Sequence, residues 1–148
     1  MNQTETFALG AFLPYRLSKL ADSVNHDFYR KHRDKYGISR HDWCCFALIG
    51  ELGQTTATTI VNHCGMHKTK VSRSISALET QGWIRRWADD NDRRVEIIAL
   101  TPAGREIYAE IARNACEFER AILQKFNAED REQIGDWLTR MEKRFNGR

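Results

Sequence analysis

The sequence predicts a mainly α-helical domain carrying one small β-hairpin, and three observations carry that expectation. Apolar residues recur at steps of three and four along most of the chain. One stretch, between Trp83 and Leu100, reads instead as two short extended runs joined through turn-forming residues. Residues that start and stop helices fall where the periodicity changes.

The first periodic segment runs from about Leu9 into the early thirties, with Leu9, Leu13, Leu17, Leu20 and Val24 on one stripe, and Gly37 stops it. Ser39, followed three residues on by Asp42, forms a capping-box pattern for a second helix, "HDWCCFALIGELG". That helix is apolar on nearly every side and is expected in the middle of the fold. A third, short helix, "TTATTIVNHCG", takes Thr55 or Thr56 as N-cap and turns Ile60, Val61 and Cys64 inward. Only a few residues around Gly65 separate it from a fourth helix, so the two form a helix-turn-helix. "WIRRW" and "RVEIIAL" are the two strands, joined through "ADDND". Thr101-Pro102 opens a long helix with the stripe Ile107, Ile111, Ala115, Phe118 and Ile122. A last helix starts near Asn127 and carries Ile134, Trp137, Leu138, Met141 and Phe145. This order is that of a winged helix-turn-helix, about residues 39–100. Further helices flank it, about 9–35 and 102–146, in a single domain covering 1–148.

With 148 residues, 41% hydrophobic and 29% charged, the chain has the length and balance of one globular domain rather than a disordered or membrane protein. No apolar run approaches the roughly 20 residues that span a bilayer. The start, "MNQTETFALG", lacks the basic region and cleavage site of a signal peptide. The expected compartment is therefore a reducing cytoplasm, with Cys44, Cys45, Cys64 and Cys116 as thiols.

Charge is distributed unevenly. The net charge is +3, and the stretch from His67 to Arg94 holds seven Lys or Arg against four acids, so it carries the whole excess. Concentrated positive charge of this kind suits a phosphate-binding face. On the fourth helix Val71, Ile75 and Leu78 share one face. At 100° per residue Thr69, Ser72, Arg73 and Ser76 lie opposite, with Lys68 and Lys70 flanking them. A packed back and a front of short polar side chains edged by cations let a helix enter the major groove of double-stranded DNA. Arg93 and Arg94 stand at the tip of the following hairpin, where a narrow minor groove would attract them.

The residues "KVSRSISALETQGWIRR" (70–86) and "DDNDRRVEIIALTPAGREI" (89–107) resemble the MarR (multiple antibiotic resistance regulator) family of bacterial repressors, whose wing signature is D-x-R followed by L-T-x-x-G. The resemblance implies a homodimer, built by the flanking helices, on a pseudo-palindromic operator. It places Arg94 in the wing's minor-groove position and makes Asp92 the acid that steadies the arginine or its hairpin. His67 departs from the pattern, because relatives often carry Asp or Ser as the cap there. "AFLPYRLSKLADSVN" (11–25) also resembles the first helix of a subgroup controlling degradation of aromatic acids, such as hydroxycinnamate and protocatechuate regulators. That likeness implies an effector, a small aromatic acid or its coenzyme A thioester. The pocket expected for it lies between the first helix and the second, with Tyr15 and Arg16 at the polar end and Trp43 and Phe46 as ring-packing walls. Arg16 lies about 60° from the centre of the apolar stripe, a position equally open to a structural ion pair or a snorkelling side chain.

Other chemistries find less support. His63, Cys64 and His67 offer metal-ligand atoms within five positions but lack a fourth ligand, so no metal is expected. Cys44 is an alternative oxidation sensor if exposed beside a cation. No nucleophile–base arrangement, glycine-rich phosphate loop or carboxylate pair points to an enzyme or a cofactor. Two function classes follow: a ligand-responsive DNA-binding repressor, and a winged-helix interaction or architectural module without operator specificity.

Overall fold

The computed structural model describes residues 6–146 of the 148. A short 3-10 turn, Leu9–Ala11, precedes six helices and three strands. They are α1 (Leu13–Tyr36), α2 (Arg40–Leu52), β1 (Gln54–Thr55), α3 (Ala57–Cys64), α4 (Lys68–Thr80), β2 (Ile84–Ala88), β3 (Glu96–Leu100), α5 (Pro102–Leu123) and α6 (Ala128–Phe145). The chain divides into two compact units, the first ending at Tyr108 and the second beginning at Ala109.

Periodicity alone places Leu9 inside the first helix, but α1 begins at Leu13. Pro14 is the reason. A helix running through from Leu9 would carry proline in its interior, where the missing N–H and the ring break the ladder. In the first turn the missing donor costs nothing, and that is where Pro14 lies. The Ser39–Asp42 capping box is complete, Ser39 Oγ accepting from Asp42 N at 3.1 Å and Asp42 Oδ2 from Ser39 N at 3.0 Å.

The core of the first unit is formed by α2, α3, α4 and the sheet. Cys45, Phe46 and Ile49 of α2, Ile60 of α3, Val71, Ile75 and Leu78 of α4, and Ile84 and Ile98 of the strands are all buried. Each large apolar side chain buried this way contributes about 1.5–3 kcal/mol. Phe28 of α1 packs edge-on to Trp43 of α2, their ring centroids 6.0 Å apart. The strands are antiparallel in the order β1-β3-β2, with Arg86 opposite Ile98 and Arg85 opposite Ala99. The hairpin has the two strands that the sequence predicts, and the two-residue β1 adds a third beyond them, pairing Gln54 with Ala99 and Thr55 with Ile98.

The turn from β3 into α5 explains the "LTPAG" motif. Thr101 Oγ1 donates to Gly82 O at 2.6 Å and accepts from Gly104 N at 3.0 Å, so one hydroxyl caps the helix and ties it to the entry of the hairpin. A Cβ on Gly104 would fall on the Trp83 carbonyl, so only glycine permits this approach.

In the second unit Asn127 caps α6 by accepting from Asp130 N at 2.8 Å. Glu129 and Asp130 in its first turn and Lys143 and Arg144 in its last both suit the helix dipole. Ile111 is fully buried, whereas Trp137, Leu138 and Phe145 are exposed at 59%, 54% and 71%. The stripe of α1 is exposed as well, from Leu13 at 55% to Leu20 at 61%.

Candidate nucleic-acid interface

Three residues, Gly65 to His67, connect α3 to α4. Thr56 caps α3 by accepting from Thr59 N at 3.2 Å. His67 caps α4, its Nδ1 accepting from Thr69 N at 3.2 Å. The histidine therefore does the work of the expected Asp or Ser, using a ring lone pair, and α4 starts at Lys68. Behind the helix Val71, Ser74, Ile75 and Leu78 are buried. On its front Lys68, Thr69, Lys70, Ser72, Arg73 and Ser76 are all exposed. Among the described residues none of the three cations pairs with an acid. The arrangement has a rigid apolar back and a bare basic front.

The wing closes through backbone bonds, Asp89 N to Val95 O at 2.9 Å and Val95 N to Asp92 O at 2.8 Å. Arg93 and Arg94 lie in the turn before β3, both exposed. Asp92 Oδ1 accepts from the Arg94 backbone N at 3.1 Å and from Nε at 3.2 Å. These bonds hold the Asp92 carboxyl below the usual carboxylate range. The Arg94 side chain remains 91% exposed, so it is aimed by the acid but still free to engage another molecule.

At the root of the wing lies a residue that the sequence analysis did not single out. Arg86 of β2 donates through Nε to Glu79 of α4 and through Nη1 to Glu96 of β3 at 3.2 Å. The bond from Arg86 pulls Glu79 below its ordinary value, and Glu79 in turn raises Arg86. This bridge fastens the recognition helix to the hairpin. A signal existed in the sequence: strand alternation puts Arg86 on the same face as the buried Ile84, where a cation needs an acid partner.

The four residues expected to hold an effector fall into two groups. Tyr15 and Arg16 are exposed in the first turn of α1. Trp43 stacks on Tyr108 at 6.5 Å and lies edge-on to Phe46 at 6.5 Å. Phe46 is fully enclosed, with Trp83 and Tyr108 rings 5.5 and 6.0 Å away, so it backs a wall rather than lining one. Phe28, the α1 residue touching Trp43, follows Arg16 by twelve positions, roughly 18 Å along the helix. Along α1 the first group therefore lies roughly three and a half turns from the contact that α1 makes with the second.

Burial pushes the Cys45 thiol up to about 12 and raises Cys44 and Cys64 as well. The Cys64 thiol points at the Cys44 carbonyl, 4.0 Å away. These environments favour the thiol, the opposite of what a sensing thiolate requires. Among the described residues no three His, Cys, Asp or Glu side chains are placed to hold a metal ion, and no helix is long and apolar enough to cross a membrane.

Comparison with known proteins places this geometry. A sequence model described as "MarR family" matches residues 36–95, which span α2 to the wing. The chain is 30% identical over 112 residues to the HTH-type transcriptional regulator PecS of Dickeya dadantii (strain 3937), covering 74% of this chain and 68% of that protein. The crystal structure of a MarR/EmrR family transcriptional regulator from Acinetobacter sp. ADP1 superposes with a TM-score of 0.84 at 21% identity, covering 96% of this chain and all of that one. BpsR of Bordetella bronchiseptica, whose DNA binding is regulated by 6-hydroxynicotinic acid, superposes with a TM-score of 0.82 at 18% identity, covering 93% and 97%.

Proposed function

The chain belongs to the MarR family of transcriptional regulators, and from that premise we propose that it is a homodimeric repressor released from a pseudo-palindromic operator by a small aromatic acid or its coenzyme A thioester. The observation that carries the DNA-binding part is the bare basic front of α4 beside the exposed arginines of the wing tip. Arg73 is assigned to base edges, and Lys68, Lys70 and Arg94 to phosphates or the minor groove, with Thr69, Ser72, Ser76 and Arg93 alongside and Asp92 orienting Arg94. The exposed apolar stripes of α1 and α6 support the dimer, since patches of that kind are normally covered by a partner. Two recognition helices would then sit about 34 Å apart, one turn of DNA.

Selection of duplexes from a random pool is the direct test. Enrichment of a pseudo-palindrome with half-sites about 10 bp apart is expected. If binding is equally tight to all duplexes at fixed salt, the chain is an interaction or architectural module instead. Replacing Trp137 and Leu138 by Asp should give monomers and abolish operator binding. A wild type that is monomeric by light scattering at micromolar concentration overturns the assembly.

The effector part draws on BpsR, which responds to an aromatic acid, and on the first-helix resemblance. Tyr15 and Arg16 stand roughly 18 Å along α1 from the Phe28–Trp43 contact. The pocket we assign therefore takes Tyr15 and Arg16 from one copy and Trp43, backed by Phe46, from the other. The acid then acts only through its different affinity for the DNA-bound and released forms of the dimer. Arg16→Ala should leave operator affinity nearly intact while weakening the best acid from a panel of hydroxycinnamates, hydroxybenzoates and their thioesters. A charge-assisted hydrogen bond contributes roughly 1.5–3 kcal/mol. Equal affinity by calorimetry in wild type and variant removes Arg16 from the site.

A further inference from the structure

The elbow between α1 and α2 holds a polar cleft of about 310 Å³. Its α1 wall follows from helical spacing, because Asp22, His26, Arg30 and Arg33 succeed one another at steps of four, four and three. Arg40, the first residue of α2, supplies the other wall, and the buried Ile38 and half-buried Tyr29 supply the apolar surface. The cleft contains no residue of the strands or of α3 to α6, and none of Tyr15, Arg16, Trp43 and Phe46 lines it.

Positive charge here exceeds what the chain itself neutralises. Arg30, Arg33 and Arg40 line the cleft against one carboxylate, Asp22, so two positive charges are left uncancelled. Asp22 is 3.8 Å from Arg40 Nη1, within ion-pair range but too far to accept a hydrogen bond. Arg30 gives one donor to Asp27, 3.3 Å away and outside the lining. Arg33 has no acidic partner among the described residues. The Arg40 guanidinium lies over the Tyr29 ring, 5.6 Å from its centroid, a contact that orients the fork without using its N–H donors. Ser39 Oγ accepts from Asp42 N at 3.1 Å and keeps its own proton to donate. Donors therefore outnumber acceptors around a space large enough for a small anion.

We propose that this cleft binds a small phosphate dianion, inorganic phosphate or the phosphate of a small monoester, held by Arg33 and Arg40 with Ser39 and His26 as further donors. A phosphate monoester carries about −1.5 to −2 charge at pH 7 and three strong acceptor oxygens. It cancels the excess, where a monocarboxylate would leave half of it. Guanidinium forks bind phosphate bidentately. Occupancy fastens α1 to the start of α2, beside the contact that Gln81, at the end of the recognition helix, makes with the Tyr36 carbonyl at 3.5 Å. The site is separate from the Arg16 pocket and rests neither on it nor on the chain's being a repressor.

Inorganic phosphate is the probe, titrated at constant ionic strength into the full-length protein and followed by backbone amide NMR, with acetate as the monoanion. Saturable shifts are expected at the amides of His26, Arg33, Ser39 and Arg40. Affinity should fall about tenfold or more in Arg33→Gln and in Arg40→Gln, as the loss of a charge-assisted bond implies. Acetate should bind about tenfold or more weakly than phosphate. Glycerol phosphate separates the two forms: affinity equal to that of phosphate assigns the ester, and weaker binding assigns the free anion. Arg73→Ala should leave the shifts unchanged, which separates them from phosphate gathered by the recognition helix. If Arg40→Gln fails to fold, Arg33→Gln, on an exposed helix position, carries the test alone. No saturable shift at these amides overturns the proposal, as does phosphate affinity unchanged in the arginine variants, or acetate binding as tightly. An Arg33→Gln protein whose DNA binding loses about 1 from its salt slope also overturns it, because the cleft would then hold the DNA backbone.

Discussion

Arg73 and Arg86 lie thirteen residues apart, one on the recognition helix and one at the root of the wing, and their surroundings are opposite. Arg86 is held between Glu79 and Glu96. Arg73, with Lys68 and Lys70, has no acidic partner among the described residues. Arg94 stands between these cases, steadied on one side by Asp92 and 91% exposed on the others. A protein can neutralise a cation with its own acid, and it does so where the cation maintains the fold. Where the cation is left bare on an ordered scaffold, the balancing charge can come from another molecule, and in the function proposed above that molecule is DNA. On this proposal, the cations with two internal acid partners maintain the fold and those with none or one are left to bind.

The sharpest way to break that distinction is on the bare face, where the largest effect is expected. Arg73→Ala should cost about 1–3 kcal/mol on the selected operator and less on random DNA, with thermal stability unchanged. Lys68→Ala should instead weaken both DNAs alike and reduce the salt slope by about 1. Band shifts at two salt concentrations separate the two behaviours. If Arg73→Ala and Arg94→Ala both bind the operator as wild type does, the bare cations are not the reading surface.

Much of this surface is legible in the sequence because it follows local rules. The 3.6-residue period of α4 fixes which side chains face outward, and the buried set Val71, Ile75 and Leu78 matches the inward face. Ser39, Thr56 and Thr101 mark helix starts because a cap involves residues only three apart. What escaped depends on distance or on brevity. Strand alternation puts Arg86 on the face of Ile84, but the bridge to Glu79 and Glu96 joins residues seven and ten apart on three different elements, and alternation does not say which acids it meets. β1 has only two residues and exists because β3 offers an open edge beside it. Side-chain chemistry groups Tyr15 and Arg16 with Trp43. That chemistry says nothing of height along a helix, and the rise from Arg16 to Phe28 separates them.

A smaller effect is expected from the bridged cation. Arg86→Ala leaves Glu79 and Glu96 facing each other without their shared donor, so stability rather than recognition should suffer first. Partly exposed ion pairs contribute about 0.2–1 kcal/mol each. At this chain length the loss corresponds to a fall in Tm of about 3 °C. Operator affinity should decline less than in Arg73→Ala, because the recognition helix keeps its apolar anchors. A thermal melt and one binding isotherm for each variant test the contrast. An Arg86→Ala protein that melts like wild type but loses operator binding as severely as Arg73→Ala would reverse the roles assigned here.

The smallest effect isolates one arm of the bridge through pH. The bond from Arg86 lowers the folded-state pKa of Glu79 below its ordinary value of 4.5. A carboxyl whose folded value is depressed adds stability that is fully present above its unfolded pKa and disappears as pH falls through the folded one. Glu79→Gln removes the charge at every pH, so wild type should melt above the variant at pH 7. The gap should close as the pH drops from about 5 through the lower carboxylate range. Because the Glu79 side chain is 44% exposed, solvent screens the pair and the gap at neutral pH should be only about 1–3 °C. Glu96 keeps its own hold on Arg86 at 3.2 Å, which limits the loss further. Paired melts from pH 7 to pH 3 supply the measurement. A gap that stays constant across that range would mean Glu79 stabilises the helix by packing or cap geometry, and that its charge does not fasten α4 to the wing.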